Sequence, residues 1–319
     1  MTETPATGPV ATAAATTPRK RIGLRIEVGS LRGLKVGVPR LVELLKAREA
    51  GATFFFDMGP DRSGRFANRL KRELLPEGLG SPDFKQRYGP LGRVRGWLYP
   101  GPRLFRRGAK QMRAVRDAGF EVGVRGWCGA EWQTHVHERD AQWTEREMRR
   151  AAGAFEKVFG EPPRAHAAPA WQMNVQAWRL VQRLGYEYGA DARGEYPFVP
   201  VHRAEIVLCP QLPTTLPTLD ELIVACGGPE AAGDRLLEIT REGQGEQVFG
   251  LAAESEGDAL LQVFADILDG WREQNCEVVA LRTLLDGMAL RALPRHLLAE
   301  VPAAKGEVVP AVQGDLFLA

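Results

Sequence analysis

The sequence predicts an α/β protein, a (β/α) barrel of seven or eight parallel strands. Short strand patterns alternate with helical patterns along the whole body, which is the signature of parallel pairing. No glycine-rich loop of the G-x-G-x-x-G or G-x-x-x-x-G-K-[ST] kind follows a strand, so an open nucleotide-binding sheet fits less well than a barrel. The 319 residues are 44% hydrophobic and 26% charged, which supplies enough apolar mass for a buried core. In such a barrel the working residues belong at the C-terminal ends of the strands.

The elements follow in order. Residues 1–18 are Ala, Thr and Pro with almost no large apolar groups, and the first 20 residues read as a disordered tail. Ile22, Leu24, Ile26 and Val28 alternate and stop at Gly29, a strand. Val38, Leu41, Val42, Leu44 and Leu45 have helical spacing within 36–50, with Pro39 in the first turn and Gly51 as stop. Thr53 to Met58 reads as a buried strand closed by Gly59-Pro60-Asp61. Further strands are expected at 121–127, 165–168, 186–191, 206–208, 248–253 and 277–281, with helices at 144–159, 172–184 and 258–273. The body runs over 21–300, and 301–319 form a C-terminal extension.

Composition narrows the class. Lys+Arg 42 against Asp+Glu 40 names no partner through net charge. The four cysteines, Cys128, Cys209, Cys226 and Cys276, lie far apart without a C-x-x-C, unlike a zinc finger or a disulfide scaffold. No apolar run reaches the roughly 18–20 residues of a membrane span, and no secretory signal is visible, so a cytoplasmic location is expected. One segment breaks the alternation: 62–116 carries fifteen Lys/Arg and three acids (Glu73, Glu77, Asp83), interleaved with aromatics such as Phe66, Tyr88, Trp97 and Tyr99. Basic residues among aromatics suit an anionic membrane surface or lipid phosphates. No RNA- or DNA-binding signature accompanies them, so nucleic acid is not an expected partner. The plain reading is a solvated insertion whose arginine stems cover apolar surface.

LRIEVGSLRG, GVPRLVELL, FFFDMGPDRSGR, DARGEYPF, QLPTTLPTLDE and AAESEG occur in this order from near Arg21 to past Gly257. In these segments the chain resembles the polysaccharide deacetylases of the NodB-homology fold, and within them the deformylases of lipid-linked 4-amino-4-deoxy-L-arabinose. The resemblance implies a distorted barrel at the inner membrane face. It also implies a metal-dependent reaction that removes an N-formyl group from an undecaprenyl-phosphate-linked sugar during lipid A modification. Such hydrolysis needs a Lewis acid, a base for the attacking water and an acid for the leaving nitrogen.

The family's motifs map onto this chain with losses. The catalytic base falls on Glu27, one methylene longer than the family's Asp. The second acid, a metal ligand, falls on Gly29, and the two metal histidines fall on Arg125 and Gly129. The arginine that holds the base falls on Gln172, and the late acid histidine on Ala252. With three ligands gone, no metal and no cofactor are expected. Arg125 is placed to pair with Glu27 across the mouth. The chain therefore reads as a non-catalytic homologue. The alternative is an active amide or ester hydrolase that uses Glu27 and a rearranged site drawn from Cys128, Glu131, His135 and His137, although a spacing of two is no standard zinc pattern.

The substrate side of the family is better kept. Arg32, Asp61, Arg65, Asp191, Arg193 and Glu254 lie in matching segments and are the expected binding residues for a lipid-linked sugar phosphate. The three arginines are planar bidentate donors suited to phosphate or carboxylate. The plain alternative for Asp191 and Arg193 is that they pair with each other and fix the following turn. The expected setting is peripheral, at the inner-membrane surface, through the basic insertion.

Overall fold

A computed structural model describes residues 19–63, 101–286, 288–300 and 311–317. The disordered-tail reading and most of the basic segment, Arg65 included, fall outside the described residues. Lys20, read as the end of the tail, already belongs to the first strand.

A parallel sheet of seven strands forms the centre. Its order is β5 (Tyr188–Gly189), β4 (Ala165–His166), β3 (Glu121–Gly126), β2 (Thr53–Asp57), β1 (Lys20–Val28) and β8 (Gln247–Ala252), with β9 (Cys276–Val279) paired to the first half of β1. Strand β1 is therefore the hub. Its residues 20–23 pair with β9, its residues 25–28 with β2, and its other edge with β8. Helices cover the outside, among them α1 (Val38–Ala47), α2 (Ala109–Asp117), α3 (Gly129–His135), α4 (Ala141–Phe159), α5 (Val175–Arg183), α6 (Leu219–Cys226), α7 (Pro229–Glu242) and α8 (Leu261–Glu273). Their apolar stripes pack on the outer face of the sheet, where Leu24, Ile26, Phe54, Phe56, Phe155, Trp178 and Trp271 are buried.

The concave face is a second core. Phe55, Ala165, Ala167, Tyr188, Ala190, Leu212, Val248, Val279, Leu281 and Leu284 fill the lumen. Strand alternation explains the partition, since residues two apart share a face. On β1 the inward positions are Gly23, Arg25 and Glu27. A Cβ at Gly23 would meet Leu281 at 2.8 Å, so a glycine is needed there for these leucines to close the bottom of the barrel.

The barrel closes through an irregular segment. Residues 210–216 lie between β5 and β8: Leu212 N donates to Gly189 O (2.8 Å) and Thr214 N to Ala192 O (3.0 Å), while Thr215 N donates to Val248 O (3.1 Å). Thr215 Oγ1 accepts from Val248 N at 2.9 Å. Two prolines, Pro210 and Pro213, interrupt the pattern and hide this segment from a strand-based reading. Immediately after it, Thr218 and Glu221 form a reciprocal capping box that starts α6.

One expected barrel strand lies elsewhere. Residues 206–208 do not join the barrel; Glu205–Ile206 form β7, antiparallel to β6 (Val199–His202), because Arg203 and Ala204 both adopt left-handed backbone and turn a two-residue hairpin. These strands belong to a four-stranded sheet of order β11–β10–β6–β7, with β10 (Arg295–Glu300) parallel to β6 and β11 (Ala311–Leu316) antiparallel to β10. The region expected as an extension thus contributes a strand, and β11 reaches the barrel rim: Arg193 N donates to Ala311 O (2.9 Å) and Gln313 N to Arg193 O (2.8 Å). Among the described residues no helix is long and apolar enough to cross a membrane.

Leu281 is fully buried under the lumen. Leu281→Ala removes the floor beneath Arg25 and is expected to cost about 2–5 kcal/mol in urea unfolding.

Candidate functional site

Four charged side chains meet at the C-terminal mouth. Inward parity places Arg25 and Glu27 on β1, and Asp57 and Arg125 end β2 and β3. A register shift between Phe56 and Asp57 sets Asp57 opposite Gly126, and its carboxylate meets Arg125. Arg125 Nε donates to Glu27 Oε2 at 2.6 Å, and its Nη1 donates to Asp57 Oδ2 at 3.0 Å. The Gly129 amide, at the start of α3, donates to the same Asp57 oxygen at 2.8 Å. Arg25 pairs with Glu27 from below, and also donates to Ala190 O (3.1 Å) and Ala168 O (3.0 Å), tying β1 to the ends of β4 and β5. Two cations thus balance two carboxylates in a nearly dry setting.

The electrostatics follow from this arrangement. Burial opposes ionisation of Glu27, but Arg125 and then Arg25 outweigh it and hold the carboxyl below its ordinary range. For Asp57 burial wins, and its carboxyl is pushed up despite Arg125. Burial also works against the charge of Arg125, yet Asp57 and Glu27 raise its pKa above the usual guanidinium value. Arg125 is a fixed cation.

That cation fills the space beside Gly29 and Gly129, the positions expected to correspond to metal ligands. A Cβ at Gly129 would overlap Arg125 Nη1 and stand 2.8 Å from Asp57 Oδ2, and a Cβ at Gly29 would stand 3.3 Å from the same Nη1. A side chain at position 129 would force the guanidinium aside, and one at position 29 would crowd it. Ala252, in register with Glu27 across β1 and β8, offers no proton-donating side chain. Gln172 is fully buried, and neither of its amide atoms has a hydrogen-bond partner; Arg25 holds Glu27 instead. The residues present do not fit a divalent metal.

Nor does the alternative cluster assemble. Among the described residues no three His, Cys, Asp or Glu side chains converge. Glu131 pairs with Arg62, and His135 Nδ1 lies 4.0 Å from Glu138 on the outer turn. Burial and then the charge of Asp57 push the Cys128 thiol up to about 12.

The expected binding residues divide by burial. Asp61, Asp191 and Glu254 are 0%, 0% and 5% exposed. Asp61 accepts from Leu31 N and Ser63 N, each at 3.0 Å. Glu254 accepts from Gly29 N (3.0 Å) and Ser30 Oγ (2.7 Å), with burial pushing its carboxyl up. Asp191 takes His166 Nδ1 (2.6 Å) and Ala168 N (2.8 Å) and contacts Gln211. All three hold the loops that shape the mouth. Arg32 pairs with Asp258, which also binds Arg40. Arg193 does not pair with Asp191; it binds Glu221 at 2.6 Å and lies 4.8 Å from the centre of the Trp171 ring, which Arg25 approaches at 5.2 Å.

Sequence reasoning missed Arg25, Asp57 and Trp171. Arg25 was visible as a charge two residues before Glu27 on one strand face, and Asp57 as an acid directly after three phenylalanines. Trp171 carried no signal: it is aimed by left-handed backbone at Ala170 and Trp171 and by an indole bond to Thr214 (2.9 Å).

A family model described as polysaccharide deacetylase matches residues 14–189. The chain is 30% identical over 266 residues, 83% of its length and 86% of the relative's, to a Shewanella sediminis protein named as a 4-deoxy-4-formamido-L-arabinose-phosphoundecaprenol deformylase, ArnD. A Wigglesworthia glossinidia brevipalpis protein of the same name is 26% identical, covering 74% of this chain and 83% of its own. In fold, a Mycobacterium smegmatis crystal structure described as a polysaccharide deacetylase aligns with a TM-score of 0.59 at 14% identity, over 93% of this chain and 99% of that one.

Replacing Glu27 by Gln tests the electrostatics. Its folded pKa lies below the ordinary 4.5, so its charge stabilises the fold above that value and the benefit fades as pH falls through the folded pKa. Glu27→Gln is expected to lose about 1.5–3 kcal/mol at pH 7 in denaturant titration. The gap to the parent protein should shrink as the pH falls below 4.5 and through the folded pKa.

Proposed function

The chain belongs to the polysaccharide deacetylase family, and on that footing we propose that it is a non-catalytic member that binds a lipid-linked sugar phosphate at an anionic inner-membrane surface. The observation that carries the reading is the Arg125 guanidinium, which lies against Gly29 and Gly129, two positions with no side chain to offer a metal, and fills the space beside them. The state of Glu27 supports it: a carboxylate gripped by two guanidiniums and held below its usual pKa is a weak general base. An active hydrolase built on Glu27 and a rearranged site has no donor set to work with among the described residues.

The ligand class comes from the relatives, whose name specifies a formamido-arabinose on phosphoundecaprenol. The mouth carries features suited to it. Arg193 and Trp171 form one wall, with Arg32 on the β1–α1 side, and Asp61, Asp191 and Glu254 keep the loops in place. Arg65, in the same matching segments, is the remaining proposed contact.

Cations on the rim support the membrane half. Arg103, Arg106, Arg107 and Lys110 are exposed and have no carboxylate partner among the described residues. The stretch they occupy is anchored at the mouth, since Leu104 N donates to Gly59 O (2.7 Å) and Asp61 N to Pro102 O (3.0 Å) beside the end of β2. Exposed cations at the opening suit a lipid phosphate and anionic headgroups.

Incubation with 4-deoxy-4-formamido-L-arabinose phosphoundecaprenol, with zinc, manganese, nickel or cobalt added in turn, is expected to show binding and no release of formate. Formate release that disappears in Glu27→Gln would overturn the non-catalytic reading. For the rim, Arg106→Ala/Arg107→Ala is expected to weaken flotation with phosphatidylserine-containing vesicles by roughly 10- to 30-fold, at about 1 kcal/mol per cation. The parent's binding should fall as salt rises.

A further inference from the structure

The connection between α3 and α4 carries a groove of about 320 Å3, lined by Glu138, Arg139, Asp140, Gln142, Trp143 and Arg146. It shares no residue with the charge cluster or with the Arg193–Trp171 wall. Local sequence builds it. Asp140 is the N-cap of α4, and its Oδ1 accepts from Trp143 N at 2.7 Å, which fixes the first turn of the helix. The Trp143 ring stacks on Trp132, with centroids 5.8 Å apart and planes 29° from parallel. Trp132 is itself buried and donates its indole N–H to Gln172 O at 2.7 Å, so the ring behind Trp143 is tied to the barrel. Trp143 remains partly exposed, and the other five lining residues are exposed. The groove therefore holds a pre-set aromatic platform among polar side chains.

The chemistry of the lining narrows the ligand. Glu138 and Asp140 balance Arg139 and Arg146, so the groove has no net charge to draw in a phosphate or an ammonium group. Trp143 is the one aromatic ring of the six, too little apolar surface to hold a hydrophobic ligand. What remains is a set of carboxylate acceptors, forked guanidinium donors and a carboxamide that does both, gathered beside an indole. A neutral sugar ring complements that set: each hydroxyl donates and accepts, and its C–H face offers apolar surface to the aromatic ring. Asp140 spends one bond on Trp143 N and, as a carboxylate with roughly four lone-pair sites, keeps acceptor capacity. We infer that this groove binds a neutral pyranose unit of a saccharide, with Trp143 as the platform and Arg139, Gln142 and Arg146 as partners for its hydroxyls. The site gives the chain a carbohydrate contact of its own, whatever the mouth holds.

The test follows the Trp143 indole N–H resonance of the 15N-labelled full-length protein, assigned by its loss in Trp143→Phe. D-glucose, D-galactose, L-arabinose and N-acetyl-D-glucosamine are titrated in turn to about 100 mM, far above a millimolar Kd, with glycerol as the control polyol. At least one sugar is expected to shift the resonance saturably, and glycerol is not. Because Trp143 packs on Trp132 and its removal disturbs the fold, the deciding variants are the exposed Gln142→Ala and Arg146→Ala, which leave the ring pair in place. Arg146→Ala is expected to weaken binding roughly tenfold and Gln142→Ala about threefold, as for a lost charged and a lost neutral hydrogen bond. No saturable shift with any of the four sugars, an equal shift with glycerol, or unchanged binding in both variants overturns the site. So does a shift that disappears in Arg193→Ala but survives in Arg146→Ala, which would put the sugar at the mouth.

Discussion

The contact between Arg125 and the two carboxylates of Glu27 and Asp57 sets the conditions for everything around it. A guanidinium can lie this deep only when opposite charges and hydrogen bonds replace the water it has lost. Glu27 and Asp57 provide that replacement, and Arg25 holds Glu27 from the lower side. The bare backbone at Gly29 and Gly129 provides the room. These positions are interdependent: a side chain at Gly129 displaces the arginine, one at Gly29 crowds it, and a displaced arginine leaves two carboxylates facing each other in a low-dielectric pocket. Positions 29, 125 and 129 are therefore physically coupled.

Beneath that layer the barrel is organised by a single strand. β1 pairs with three others and carries in alternation the outer core residues Leu24 and Ile26 and the inner residues Gly23, Arg25 and Glu27. Arg25 is fixed by carbonyls at the ends of β4 and β5 and in turn fixes Glu27, so the orientation of the mouth carboxylate depends on strands across the lumen. The buried acids Asp61, Asp191 and Glu254 extend the same logic to the loops, accepting from backbone amides that would otherwise be left without partners.

Much of the fold was legible because period-two and period-3.6 patterns survive wherever a strand or helix buries one face. β1, β2, β3, β8 and the helix ending at Gly160 lie close to where periodicity puts them. Closure was not legible, because residues 210–216 work through backbone bonds between prolines and have no side-chain period. The helices at 219–242 were missed although Thr218 and Glu221 spell a capping box, and the second sheet was missed because β6 and β10, which join its two halves, pair across about a hundred residues of sequence. At the site, the Arg125–Glu27 pair could be foreseen from motif positions, whereas Asp57 depended on a register shift and Arg193's partner on a helix that had not been recognised.

β11 supplies both backbone partners of Arg193, at Ala311 and Gln313, although it lies more than a hundred residues further along the chain. The wall beside Trp171 therefore belongs to two sheets at once: the rim of the barrel sets where Arg193 leaves its strand, and the edge of the second sheet holds its backbone in line. Any shift of the second sheet against the barrel is transmitted to the arginine without passing through the charge cluster beneath it.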